Sequence, residues 1–194
     1  TPITKLTPSD GASNNTFGSS VSIGLGRIII GASSLFPNLV EGKVYIYNLD
    51  GTLIKKITAS DGASGDTFGN SVSVGSGRIV VAARRDDDKG SDSGSVYIFD
   101  LDGNQLTKIT ASDGSSFDGF GDSVAVGSGR IVVGASGDDD NGSASGSIYF
   151  FDLDGNQLAK ITASDGASGD AFGNSVSVGS GRIVVGAYGD DSSK

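Results

Sequence analysis

Cysteine, histidine, methionine and tryptophan are absent from this 194-residue chain, and proline occurs only three times. Without Cys or His there is no disulfide framework, no thiolate or imidazole metal site, no Cys nucleophile and no Ser-His-Asp triad. Zinc and haem lose their usual ligands for the same reason. Positive charge is also scarce. The 14 Lys+Arg against 23 Asp+Glu leave a net charge of -9, which argues against a nucleic-acid or anionic-membrane partner. No run approaches the ~20 apolar residues of a membrane span, so no membrane insertion is expected. Thr1-Pro2-Ile3-Thr4-Lys5 does not read as a charged-then-apolar export leader. What abounds is glycine, at 32 residues. An apolar fraction of 36% and glycines at fixed offsets argue against disorder.

Those offsets come from an internal repeat. The pair Phe-Gly occurs at residues 17, 68, 120 and 172, at intervals of 51, 52 and 52, and residues 56–81 recur as 160–185 with one change, Thr67 to Ala171. Each period holds four short apolar runs, too short and too β-branched for helices, here labelled strands a to d. Strand a, Ser71-Val72-Ser73-Val74, alternates, so its valines share one face and its serines the other. Gly75-Ser76-Gly77 then turns the chain. Strands b (Arg78-Ile79-Val80-Val81) and c (Ser95-Val96-Tyr97-Ile98-Phe99) are apolar at consecutive positions, which requires cover on both faces. Asp102-Gly103 is read as a tight hairpin with positive backbone dihedrals, leading into an alternating outer strand d from Gln105 to Thr110. Twisted four-stranded antiparallel units of this length, stacked face to face around an axis, make an all-β β-propeller. A parallel β-solenoid is the rival, but its repeats are shorter and need no hairpin in every unit.

The run Phe-Gly-Asn-Ser-Val-Ser-Val, then Ile-Val-Val-Gly-Ala, an acidic loop and Gly-Ser-Ile-Tyr-Phe-Phe resembles the FG-GAP repeat of integrin-α-type propellers. The matching residues are Phe17, Gly18, Gly31 and Ala32; Phe68, Gly69 and Ala83; Phe120, Gly121, Gly134 and Ala135; and Phe172, Gly173, Gly186 and Ala187. The second copy has Ala82 where the others have glycine. The resemblance spans essentially the whole chain. It implies extracellular binding and cell adhesion, commonly with bound calcium and a ring of about seven blades. The expected organisation is a single propeller domain or fragment over residues 1–194: outer strand d at 1–7, blade 1 at 17–58, blade 2 at 68–110, blade 3 at 120–162 and a partial blade 4 at 172–194. That is fifteen strands, one short of four whole blades, because strand c of the last unit is missing. The unpaired edge invites another chain. A fragment of a longer array, an imperfectly closed four-bladed ring and edge-to-edge assembly into a larger ring or filament all remain open.

The b–c loops carry the densest charge: Asp86, Asp87 and Asp88; Asp138, Asp139 and Asp140; and Asp190 and Asp191. Closely spaced carboxylates followed by glycine suit a hard cation, so calcium is the one cofactor expected; a solvated turn is the competing reading. In the family the calcium loop lies between strands a and b. Here that connection is Gly75-Ser76-Gly77, Gly127-Ser128-Gly129 or Gly179-Ser180-Gly181, without a carboxylate, so the family's metal residues have no counterpart. A second choice lies in the d–a loops, where Asp61 and Asp66, Asp113 and Asp118, and Asp165 and Asp170 are each five apart; a routine turn is the favoured reading. Leu35, Phe36, Leu39 and Val40 form an apolar cluster on the first b–c loop, either tucked into a neighbouring blade or forming a partner contact. Arg84-Arg85 reads as a solvated pair or as a contact to a neighbour's acidic loop.

Catalysis is not expected, because Lys and Arg are the only nitrogen bases and the glycine-flanked carboxylates offer no apolar pocket across a cleft. The expected function is a secreted or surface-displayed, non-catalytic adhesion or structural module that binds a protein or glycan ligand. One alternative is a carbohydrate-binding lectin, although five tyrosines and no tryptophan leave few platforms for sugar rings. Another is a self-assembling subunit whose partners are copies of itself.

Overall fold

Valines and isoleucines at successive positions favour extended backbone and demand cover on both sides, and the chain meets that demand with stacked sheets. The computed structural model describes residues 5–8, 15–34 and 40–191. Blade 1 consists of β1 (Asn15–Gly24), β2 (Arg27–Ser34), β3 (Lys43–Asn48) and β4 (Leu53–Ile57). Blade 2 is β5 (Val72–Gly75), β6 (Arg78–Ala83), β7 (Ser95–Phe99) and β8 (Gln105–Ile109). Blade 3 is β9 (Ser123–Gly127), β10 (Arg130–Ala135), β11 (Ser147–Phe151) and β12 (Gln157–Thr162), and the last sheet holds β13 (Phe172–Gly179) and β14 (Arg182–Ala187). Within each sheet the strands pair antiparallel in chain order. These are β-propeller blades, three complete and one partial. Of the lone strand read at residues 1–7, Lys5, Leu6 and Thr7 are not in a strand, and the four residues before them lie outside the described set. Among the described residues no helix is long and apolar enough to cross a membrane.

Packing between blades follows one scheme. Ile29, Val44 and Ile46 of blade 1 meet Phe68, Val72, Val74 and Ile79 of blade 2 in one core. Val80, Val96 and Ile98 of blade 2 meet Phe120, Val124 and Ile131 of blade 3 in the next. The valine face of each strand a thus points back to the preceding blade. Its serine face points forward and accepts amide hydrogen bonds: Val74 N donates to Ser22 Oγ (3.1 Å), Val124 N to Ser71 Oγ (3.1 Å) and Val126 N to Ser73 Oγ (3.1 Å). Serine is short enough to let the inner strands approach while satisfying an amide that β pairing leaves free. The Phe-Gly pairs sit at these seams. Phe68 is buried edge-on against Tyr97, centroids 5.4 Å apart, while Gly69, at φ +85°, would place a Cβ 3.0 Å from Lys43 O of the preceding blade.

The turns differ in one respect from the sequence reading. Positive dihedrals at two successive residues occur in the a–b turn, at Ser76 (φ 49°) and Gly77 (φ 77°), the type I′ pattern. In the c–d connection only Gly103 is positive, and Asp102 is not. Asp100 shapes that turn instead: its Oδ1 accepts the amides of Asp102 (3.0 Å) and Asn104 (2.8 Å).

Candidate functional site

The b–c and d–a loops emerge on the same rim, and one lysine from strand d ties them together. Tyr97 on β7 stands directly opposite Lys108 on β8 in the antiparallel register, as Tyr149 on β11 stands opposite Lys160 on β12. Cross-strand neighbours share a face, so each lysine lies over its tyrosine ring, Nζ 5.2 Å from the centroid in both blades. Carboxylates gather around the ammonium. Lys108 Nζ is 2.8 Å from Asp61, 3.1 Å from Asp86 and 2.6 Å from Asp88. Lys160 Nζ is 2.8 Å from Asp113, 2.8 Å from Asp138 and 2.7 Å from Asp140. Tyr97 OH bridges Asp61 (2.8 Å) and Asp86 (3.0 Å), and Ser95 Oγ donates to Asp86 (2.9 Å). Tyr149 and Ser147 repeat the pattern on Asp113 and Asp138.

Burial makes this arrangement consequential. Asp86 is 4% exposed and Asp138 3%, so each charge must be matched locally. Burial works to raise the Asp138 carboxyl, but Lys160, Tyr149 and Ser147 outweigh it and hold the group below its ordinary value. Burial likewise works to lower the lysines, yet their carboxylate partners hold both ammonium groups above the usual lysine range. Burial, reinforced by the adjoining aspartates, keeps both phenols neutral donors well above their ordinary value.

The sequence-derived site residues therefore divide by partner. Asp86, Asp88, Asp138 and Asp140, read as calcium ligands, converge on a lysine, and the second-choice residues Asp61 and Asp113 join them. This donor set does not fit a calcium ion, which takes six to eight oxygens, because the position between the carboxylates belongs to an ammonium group. Among the described residues no group of three or more acidic side chains is arranged to hold a metal. Asp87 and Asp139 act as turn residues, accepting the amides of Asp92 (2.8 Å) and Ala144 (2.7 Å). Asp66, Asp118 and Asp170 each accept an amide three residues earlier, from Ala63, Ser115 and Ala167, all at 2.7 Å. Asp61 and Asp66, and likewise Asp113 and Asp118, thus serve different partners although only five residues apart. Asp190 and Asp191 are exposed and, with Asp165 and Asp170, line a shallow depression in the last repeat.

Arg84 makes the contact to a neighbour, its Nη1 3.0 Å from Asp122 Oδ1 at the start of blade 3. Beside it, Arg85 and the exposed Phe117 line a small hollow. Of the apolar cluster in the first b–c loop, Leu35, Phe36 and Leu39 lie outside the described residues, and Val40 is half-buried. The residues that sequence reasoning missed are Tyr97, Tyr149, Lys108 and Lys160. Their signal was present: tyrosine and lysine eleven apart recur at 45 and 56, 97 and 108, and 149 and 160.

A family model described as "FG-GAP repeat" matches four successive segments, residues 1–47, 52–99, 104–151 and 156–194. Each segment beyond the first begins at strand d, so a repeat contributes its first strand to the preceding blade and its other strands to the next. Among solved structures, BamB from Moraxella catarrhalis, a β-propeller, is similar over 87% of this chain and 40% of its own, at 12% identity and a TM-score of 0.52. Sqt1 from Chaetomium thermophilum is similar over 81% of this chain and 37% of its own, at 14% identity and a TM-score of 0.51. The chain thus spans well under half the length of either. No curated protein matches it.

Proposed function

The chain belongs to the FG-GAP repeat family, and from that premise we propose that it is a non-catalytic binding module, secreted or displayed at a cell surface, that holds a protein partner on its loop rim. One observation carries this reading: the buried Tyr-Asp-Lys clusters lock the b–c loop to the d–a loop in the same way in two successive blades. A rim fixed before binding loses little entropy on association. Asp87, Asp139 and Phe117 remain exposed on it, so the complementary partner is a basic surface with an apolar element. Each cluster carboxylate is engaged by lysine, tyrosine or a backbone amide, which supports a binding role over a catalytic one.

The test immobilises the 194-residue chain and screens purified extracellular proteins in parallel with a glycan array. Binding to a basic protein, weakened by salt and by Asp87→Asn with Asp139→Asn, is the expected result. Binding confined to neutral glycans and indifferent to salt would replace the adhesion reading with a lectin.

A further inference from the structure

Residues 59–110 and 111–162 are successive copies that agree at most positions. Between blades 2 and 3, both four-stranded, a hollow of about 190 Å³ opens on the loop rim. It lies between the b–c loop of blade 2 and the d–a and b–c loops of blade 3, and every residue lining it occupies a position at which the two copies differ. Arg84 and Arg85 have Ser136 and Gly137 as counterparts, Asp92 has Ala144, and Phe117 and Asp122 stand where the earlier copy has Gly65 and Asn70. Identical blades present identical surfaces, so departures gathered around one hollow give this seam a surface that the repeat alone would not.

Phe117 is the costliest of these departures. Its backbone is left-handed, at φ 71°, where its counterparts Gly65 and Gly169 stand at 108° and 90°. An aromatic residue is strained in a conformation that glycine adopts freely, and at 67% exposure the ring gains no core contact in return. The loop still holds it in place: Phe117 N donates to Ser91 O (2.7 Å) and Gly119 N to Asp92 O (3.2 Å). Strain kept at a fixed, exposed side chain points to a contact made outside the fold. The charges beside the ring divide in two. Arg84 is satisfied within the protein, its Nη1 3.0 Å from Asp122 Oδ1, and Asp122 also accepts the hydroxyl of Ser136. Arg85 is not. Its amide donates to Asp66 O (3.2 Å), but among the described residues its guanidinium has no hydrogen-bond or ion-pair partner. Asp92 N donates to Asp87 Oδ1 (2.8 Å), while the Asp92 carboxylate accepts no hydrogen bond among the described residues.

An open guanidinium, an open carboxylate and a fixed ring share a space below the roughly 300 to 1,000 Å³ of a drug-sized pocket, which suits the end of a peptide chain. A terminal carboxylate accepts two parallel N–H donors from one guanidinium. The last amide N–H can donate to a carboxylate, and an apolar last side chain covers a ring. We propose that this hollow binds the C-terminal residue of a partner polypeptide, with Arg85 on the terminal carboxylate, Asp92 on the last amide and Phe117 against an apolar side chain. The inference rests on the loop rim being a binding surface, and it names the part of the partner that this seam receives.

Fluorescence polarisation tests this on the 194-residue chain, titrated to about 1 mM against N-terminally labelled Gly-Ser-Gly-Ser-Leu as free acid and as C-terminal amide. The acid should bind at least about 10-fold more tightly than the amide. Arg85→Gly, which places at 85 the residue type of Gly137, should abolish that difference. Phe117→Gly should weaken binding of the acid about 10-fold while melting no lower than the native chain, because glycine is the residue this backbone favours. Equal binding of acid and amide, or no binding of either, overturns the proposal. So does a Phe117→Gly chain that binds the acid unchanged, or one that melts lower, since the ring would then serve the fold. Salt-sensitive binding of a basic protein without binding of the peptide acid would overturn this inference alone and leave the reading of the rim intact.

Discussion

At Asp118 burial and ionisation conflict most openly. The side chain is 5% exposed, and burial together with the charges of Asp138 and Asp139 pushes its carboxyl up to about 6, against the opposing amide of Ser115. A carboxyl that holds its proton more tightly when folded makes the native state richer in protons between its unfolded value near 3.8 and about 6. Stability then falls as pH rises through that window, and the full cost is present above it. Asp118→Asn keeps an oxygen for the Ser115 amide and removes the charge. Thermal melts should show this variant more stable than the native chain at pH 7.5, by on the order of 2 to 3 kcal/mol, with the gain vanishing below about pH 4. Asp138 behaves oppositely: its carboxyl is held low, so it contributes stability above the unfolded value that is lost as pH drops through the folded one.

The element that decides the site is the pairing of strands c and d. Strand identities were legible from valine alternation and glycine turns, and β6, β7 and β8 fall where the apolar runs predicted. The partner of the acidic loops was not legible, because Lys108 follows Asp86 by 22 residues and meets it only once β7 and β8 are in register. Spacing among the aspartates alone pointed to a cation; the fold supplies that cation from its own chain. Lys160→Met should therefore cost about 3 to 5 kcal/mol in denaturant unfolding, since Asp138 is left buried without its countercharge. Adding Asp138→Asn to that variant should return part of the loss. Millimolar calcium should leave the melting temperature of the native chain unchanged; a rise of several degrees would mean that the ion displaces the lysine.

Across the whole molecule, stability is expected to be graded instead of uniform, because each blade contacts only its neighbours. Hydrogen exchange should find the amides of Ile79 to Val81 and Ile131 to Val133, buried between two blades, the slowest. Those of Ile183 and Val184 on the exposed last sheet should exchange faster. Uniform protection over all four sheets would contradict a nearest-neighbour array. The repeat, the strands of its blades and the a–b turns were determined by the sequence alone, since alternation, β-branching and glycine act over a few residues at a time. Which charges meet, and which apolar faces pack against each other, was decided only by the tertiary structure. Both depend on strands far apart in the chain being brought within a few ångströms, a distance that no local pattern encodes.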